Sequence, residues 1–432
     1  MPSILTSPFS SHNKNRLDSC LLFLLGVFCF ASASTVMTAV MNASFFIAVL
    51  LWCWWLFENK PTGYIRSGIF LLFCVLCLIF VVAIFNNYYL FDNNINEFKK
   101  DYLKPLLVFL MASTFIRGEK QVKALLLCFA FGFALRSVLL VFYYGFDLAW
   151  LAPYRRGYAL DSIFYVSLTS VLVLFGKNFL SEKTKNALRL MWLIEGFVLI
   201  LHQSRSPLLA ICFGLFCVLM INGAWRKLSL FVGGAVLAAG LLLSLKPQLW
   251  ERYASTFNGA TYHRDGAVME RKGIWLATGY LIEEKPLFGH GPGWRKLSPL
   301  VLDSHIISRL KSSNEIIDHY GYVYFTQNAS KYGKANPHNL YLQVMLEIGV
   351  VGLLCYLMFL FLIFWQAFRQ IHASVSESVV ANSLLVIVPA FLLVGFANGL
   401  WANAVLLMML AGILVSQGVP DKLLATAKKG QK

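Results

Sequence analysis

The chain has 432 residues, 58% of them hydrophobic and 13% charged, with a mean hydropathy of +0.65 and a formal net charge of +16. No soluble domain hides that much apolar surface, so most of it faces lipid or other buried helices. The positive charge does not mark a nucleic-acid binder, because no basic helix carries interleaved aromatics.

Apolar runs of about 15–25 residues, the length that crosses ~30 Å of hydrocarbon, recur along the whole chain. In order they are Leu17–Val40, Met41–Phe57, Ile69–Phe85, Pro105–Ile116, Ala124–Phe146, Asp161–Phe175, Leu188–Leu201, Leu208–Ile221 and Leu228–Leu245, then His338–Phe368, Val379–Ala397 and Trp401–Val415. The expected fold is an all-α integral membrane protein with about twelve transmembrane helices. Lys14, Arg16, the run Cys20–Phe30 and Ala31-Ser32-Ala33 resemble a cleaved signal peptide. The run continues to Val40, however, which suits an uncleaved first span.

Lys and Arg concentrate in alternate short loops: Lys60 and Arg66; Arg117, Lys120 and Lys123; Lys177, Lys183, Lys185 and Arg189; Arg226 and Lys227; Arg369. With Lys14, Arg16 and the basic tail, this puts both termini in the cytoplasm. The nine cysteines all fall in apolar spans and are expected to be core residues. Cys74-x-x-Cys77 lacks the second pair that a zinc site needs.

The division that follows is 1–245 for the first nine helices, 246–337 for one large loop on the far side, 338–415 for the last three helices, and 416–432 for a cytoplasmic tail. A structureless loop of ninety residues is unusual in a compact protein, so this one should fold, mainly as helix, and carry function. Asp265–Glu284 reads as an amphipathic helix with Val268, Trp275, Leu276 and Ile282 on its apolar side, stopped by Pro286. Pro286–Trp294 (PLFGHGPGW) has glycines for a tight turn, which is either only a turn or a nest of N–H groups for phosphate. Arg155, Arg156, Arg205, Arg264 and Arg271 face the same side. Arginine's planar fork suits phosphate oxygens, although interfacial arginines also snorkel to lipid headgroups. Arg136 and Glu195 lie inside spans and are functional or paired groups whose partners the sequence does not name.

Asn336-Pro337-His338-Asn339 stands at the mouth of the tenth span. Asn336 reads as an N-cap and Pro337 as the first helical residue, which puts His338 in the first turn. On a regular helix His338, Gly349 and Gly352 share one face, where the glycines admit a neighbouring helix. The positive end of the helix dipole favours a neutral imidazole, as a general base requires. A histidine that merely caps or anchors its helix is the alternative.

The ordered set of His338-Asn339, Gly349-x-x-Gly352, Gln203-Ser204-Arg205-Ser206, Arg271-x-x-x-Trp275 and Pro286-Leu287-Phe288-Gly289-x-Gly291-Pro292-Gly293 resembles the signature of the O-antigen ligase and polymerase superfamily. These segments cover Leu201 to Leu354. The resemblance implies a GT-C-like bacterial inner-membrane glycosyltransferase that works on the periplasmic side with neither metal nor cofactor. Its implied partners are undecaprenyl-diphosphate-linked O-antigen, lipid A–core and membrane lipids. It also implies His338 as base and Arg155, Arg156, Arg205, Arg264 and Arg271 as diphosphate contacts. Residue types agree with metal-free transfer: there is no Asp-x-Asp pair, and Asp265, Glu283, Glu284 and Asp303 are scattered. Polymerases of the superfamily often carry Arg-x10-Gly segments. Here the positions eleven beyond Arg205, Arg264 and Arg271 are Phe216, Trp275 and Ile282. Ligase is therefore the expected activity, with polymerase or protein O-glycosyltransferase as alternatives. A twelve-helix transporter is a distant one, which would show related halves and helices broken at mid-membrane.

Overall fold

The computed structural model describes residues 9–61, 63–144, 155–201, 205–245, 266–313, 315–373, 378–399 and 404–417. Every regular element among them is a helix. The first ten are α1 (Phe9–Ser34), α2 (Thr38–Asn59), α3 (Gly68–Asn86), α4 (Phe91–Asp101), α5 (Leu103–Phe115), α6 (Glu119–Tyr144), α7 (Arg155–Phe175), α8 (Glu182–Leu201), α9 (Arg205–Ile221) and α10 (Trp225–Leu245). The loop contributes α11 (Gly266–Glu284), α12 (Leu297–Leu302), α13 (Ile306–Ser312) and α14 (Ile316–Val323). The chain then returns through α15 (Leu340–Ala373), α16 (Val379–Gly395) and α17 (Val405–Gln417).

Among the described residues α1, α2, α3, α6, α7 and α15 are long and apolar enough to cross a membrane, and α5, α9, α16 and α17 are shorter apolar helices. The other two expected spans form α8 and α10 but fall in neither group. In α8 the reason is its charged opening, Glu182, Lys183, Lys185 and Arg189.

The bundle packs by aromatic stacking and by close approach at glycines. Phe73 of α3 stacks on Phe109 of α5 at 4.3 Å, and Phe109 meets Phe359 of α15 edge-on at 5.8 Å. Gly412 of α17 lets the Phe109 carbonyl come within 2.6 Å of where a Cβ would stand, and Gly214 of α9 admits the backbone of Val386 in α16. Small residues pack membrane helices because the lipid is as apolar as the protein and only fit distinguishes them. The cysteines depart from expectation. Cys29 and Cys355 are buried, but Cys20, Cys53 and Cys74 are exposed on apolar helices, so a thiol there faces out of the bundle.

Arg136 and Glu195, the two ionisable groups inside spans whose partners the sequence left open, acquire neighbours. Arg136 forms a 2.5 Å ion pair with Asp161 and lies over the Tyr158 ring. Glu195, fully buried, accepts a 3.4 Å hydrogen bond from Thr169.

Two features went unread in the sequence. The first is α4, a polar helix between α3 and α5 that buries Asn94, Glu97 and Asp101 on one side. Those groups meet the loop: Arg295 pairs with Glu97 at 2.5 Å and Asp101 at 2.6 Å, and Tyr332 donates to Glu97 at 2.8 Å. The connection after α3 and the large loop therefore lie at one end of the bundle. The second is a break in α15 at Gly349, whose φ of +72° and ψ of −175° are not helical. Beyond the break, Val351, Leu354, Met358, Phe361 and Trp365 are exposed at alternating three- and four-residue spacing, the stripe of a lipid-facing helix. Val350–Ala373 alone is about 36 Å long at 1.5 Å per residue, enough for a span of ~30 Å. The part of α15 beyond the break is thus long enough to cross a membrane by itself, and the break sits at the end of the bundle where the loop docks.

Exposed serines test the sidedness. Ser330 belongs to the loop and Ser181 to the connection before α8, and both are open. In a cysteine-free background, the Ser330→Cys protein should react with a membrane-impermeant thiol reagent once the outer membrane is permeabilised. The Ser181→Cys protein should stay protected until the inner membrane is opened, and the reverse pattern would invert the topology.

Candidate functional site at the mouth of the bundle

The histidine is held differently from what its sequence suggests. Asn339 is the cap of α15: its side-chain oxygen accepts from the N–H groups of Tyr341 and Leu342 at 2.9 and 3.1 Å. Asn336 instead accepts from the His338 N–H at 2.7 Å, and His338 takes a left-handed φ of +50°. Two amide side chains compete for the role, and the one nearer the helix wins it. His338 therefore precedes the first turn. The expected shared face with Gly349 and Gly352 does not exist, since His338 lies before the helix and Gly349 interrupts it.

The glycines of both motifs serve one joint. Where α15 breaks, its carbonyls at Leu346 and Glu347 accept from the N–H groups of His290 and Gly291 at 2.7 and 2.9 Å. Its N–H groups at Val350 and Val351 donate to the Pro286 and Leu287 carbonyls at 2.8 and 3.4 Å. The loop turn thus takes up backbone groups that a broken helix would leave open, as burial requires. A Cβ on Gly349 would overlap the Leu287 carbonyl, and one on Gly289 would stand 2.6 Å from the Leu346 oxygen. This answers the question of the phosphate nest. The N–H groups of Gly289, His290, Gly291 and Gly293 are all spent on protein acceptors, the last on the Glu347 carboxylate at 3.0 Å. The turn binds the helix, not an anion.

The α11 helix forms as expected, but it turns a different side inward. Met269, Ile274, Ala277 and Leu281 are buried, whereas Val268, Trp275, Leu276 and Ile282 are only half-buried. The reason is that α11 is covered twice. Gly273 crosses Gly321 of α14 at backbone contact, and Trp275 donates its indole N–H to the Pro337 carbonyl at 2.8 Å. That bond lands beside His338. Arg271, one turn before Trp275 and so on the same face, is exposed.

Helix directions bring the other arginines to this end. Asn222, just past α9, bonds to Asn382 near the start of α16 at 2.8 Å, so α9 and α16 run antiparallel. Lys227, a few residues past Asn222 at the start of α10, donates to the Leu174 carbonyl at the end of α7 at 2.8 Å, so α7 runs the same way as α9. The first residues of α7 and α9 thus lie near the end of α16, where the Phe396 carbonyl accepts from Asn339. Arg155, Arg156 and Arg205 are those first residues. Arg264, with Gln203 and Ser204, lies outside the described residues.

Sequence reasoning missed a buried polar cluster directly behind the joint. Glu347 is enclosed by Tyr102, by the Gly293 N–H and by Gln343, whose amide donates at 2.9 Å. Lys296, also enclosed, donates to Asn94 at 2.6 Å and to the His290 and Pro292 carbonyls at 2.7 and 3.1 Å. Burial pushes its ammonium well below the ordinary lysine range, with the Glu347 and Glu97 charges opposing. The available signal was Glu347 itself, an acid inside an apolar run.

His290 is buried beside the Leu281 carbonyl, at 2.8 Å from its Nε2, and burial lowers its pKa to about 4. A histidine that folds neutral stabilises fully above its unfolded value of 6.5 and loses that contribution as pH falls toward 4. The unfolding temperature in detergent should therefore fall as pH drops across that window, and His290→Gln should flatten the slope. An unchanged slope would show that the imidazole titrates freely.

His338 and the exposed Arg271 thus stand at one end of an all-helical bundle, several of whose helices are long and apolar enough to cross a membrane. A model of the O-antigen ligase family matches residues 190–357, from within α8 to just past the break in α15. Over that segment, well under half of the 432 residues, the chain is similar to the O-antigen ligase family. Comparison with the curated proteins returned no match.

Proposed function

We propose that this protein is an O-antigen ligase of a bacterial inner membrane, acting on the periplasmic side with both termini cytoplasmic. It transfers glycan from undecaprenyl diphosphate to a sugar hydroxyl of lipid A–core. His338 takes the hydroxyl proton as that oxygen attacks the anomeric carbon and the bond to the diphosphate breaks. Arg205 and Arg271, with Arg155, Arg156 and Arg264, meet the charge that grows on the leaving diphosphate, where fixed cations lower the barrier most. The observation that carries this reading is the fixed backbone of His338, bonded to Asn336 and flanked by the Trp275–Pro337 bond. The absence of Arg-x10-Gly segments favours ligase over polymerase.

Deletion of the gene followed by gel analysis of lipopolysaccharide tests the activity. A ligase mutant shows core without O-antigen while lipid-linked polymer accumulates, whereas core bearing a single repeat would make it a polymerase.

Lysine at Arg205 and Arg271 keeps the charge and loses the fork. A charge-assisted hydrogen bond contributes about 1.5–3 kcal/mol, so each replacement should slow transfer roughly tenfold to a hundredfold. Lys311→Ala, on the exposed surface of α13, should leave the initial rate with purified enzyme unchanged. Arg→Lys rates within about twofold at both positions, under ~0.5 kcal/mol, would make these residues headgroup anchors.

A further inference from the structure

We propose that Glu347 is a positioning residue that ties the orientation of His338 to the docking of the loop; this rests on the ligase reading above. The break at Gly349 disconnects Leu340–Ile348 from the membrane-crossing part of α15. A short helix freed in this way takes its direction from whatever holds its sides, and His338 rides at its far end.

Glu347 ties that helix to two neighbouring elements and braces it from within. Its carboxylate meets the Tyr102 hydroxyl at the joint of α4 and α5, the Gly293 N–H of the loop turn, and Gln343 one turn back toward His338. Lys296 grips the same turn and bonds α4 through Asn94. The carboxylate and the ammonium are each about 1–2% exposed, so removing one strands the other in a medium that solvates it poorly. Gln343 carries the link onward. Its amide is oriented by Glu347, and its oxygen lies against Gly399, where no Cβ fits. The Asn336 side-chain oxygen borders the same glycine, 3.6 Å from where that Cβ would stand, and it is this oxygen that holds the His338 N–H. The path therefore runs from Glu347 to Gln343 by a hydrogen bond, across the space beside Gly399 that the Gln343 and Asn336 oxygens both border, and from Asn336 to the His338 N–H by a second hydrogen bond. Glu347 touches no reacting atom in this scheme and acts only through the histidine's placement.

The test uses the full-length enzyme in detergent with lipid-linked glycan and lipid A–core. Glu347→Gln keeps the shape and removes the charge. It should lower kcat per folded molecule at least tenfold while both KM values stay within about twofold, and Glu347→Gln/Lys296→Met should recover part of the loss. A variant whose kcat per folded molecule stays within twofold of the parent would overturn the proposal. The rate at which diethyl pyrocarbonate modifies His338, read by mass spectrometry, supplies a measurement that needs no substrate. Glu347→Gln should change it at least threefold, and Lys311→Ala should not. If the parent enzyme transfers no glycan, the ligase reading fails. The modification rate then still decides the positioning role, and an unchanged rate sinks it.

Discussion

His338→Ala should abolish glycan transfer, lowering the rate about 10²–10⁴-fold, the contribution of a positioned general base, while the protein still accumulates in the membrane. The left-handed backbone at this position complicates alanine, which enters that region less readily than histidine, asparagine or aspartate. His338→Asn removes this ambiguity. Asparagine tolerates the left-handed conformation and offers no base at neutral pH, so it should fold like the parent and still fail to transfer. His305 and His319 are exposed on the loop, and their replacement should cost less than about twofold, a loss too small to mark a catalytic group. Purified enzyme with lipid-linked glycan and lipid A–core gives the rates. If His338→Asn transfers normally, the base lies elsewhere and His338 only shapes the approach to α15.

Gly349→Ala should prevent the protein from accumulating in folded form. The φ of +72° with ψ of −175° lies in a region that is essentially glycine's alone, where strain costs about 1–3 kcal/mol. The added methyl also meets the Leu287 carbonyl, one of the acceptors in the joint. Four backbone hydrogen bonds cross that joint, each contributing about 0.5–1.5 kcal/mol net. Their loss together with the strain approaches the whole stability of a typical fold, ~5–15 kcal/mol. Gly279→Ala, on α11 with open space around it, should have no such effect. Size-exclusion profiles of the tagged protein and its unfolding temperature in detergent decide the matter. A Gly349→Ala protein that elutes and melts like the parent would mean that the break is not required.

The membrane helices were legible because lipid demands long apolar runs, and nearly all of those runs became helices within a few residues of expectation. The loop helix was legible from its period, though its inward side was not, because period alone does not say how many partners cover a helix. The α4 helix escaped because Asp92, Asn93, Asn94, Asn96 and Glu97 look like solvated connection, and the burial of Asn94 and Glu97 is created by Arg295 and Lys296 some two hundred residues away. For Gly349 and Gly352 the spacing suited helix-on-helix packing, but Gly349 accommodates the carbonyl of a distant turn. That pairing is a tertiary fact with no local trace. At His338 the residue was visible and its setting was not, because two neighbouring asparagines offered the same capping chemistry. The partner of Arg136 was likewise invisible until α6 and α7 brought Asp161 alongside.

The exchange of backbone hydrogen bonds between Pro286–Gly291 and Leu346–Val351 sets where this protein divides for recombination. Chimeras between relatives are usually cut at loop boundaries, which here would separate the loop from the three helices that follow it. Such a cut would pair one parent's turn with another parent's broken helix, and every mismatch in their facing backbones would fall at the mouth of the bundle. The natural cassette instead keeps α4, the loop turn and the first half of α15 from one parent, whatever is done with α1 and α2. Transplants respecting that boundary should retain folded yield, and those cutting between Trp294 and Leu340 should lose it.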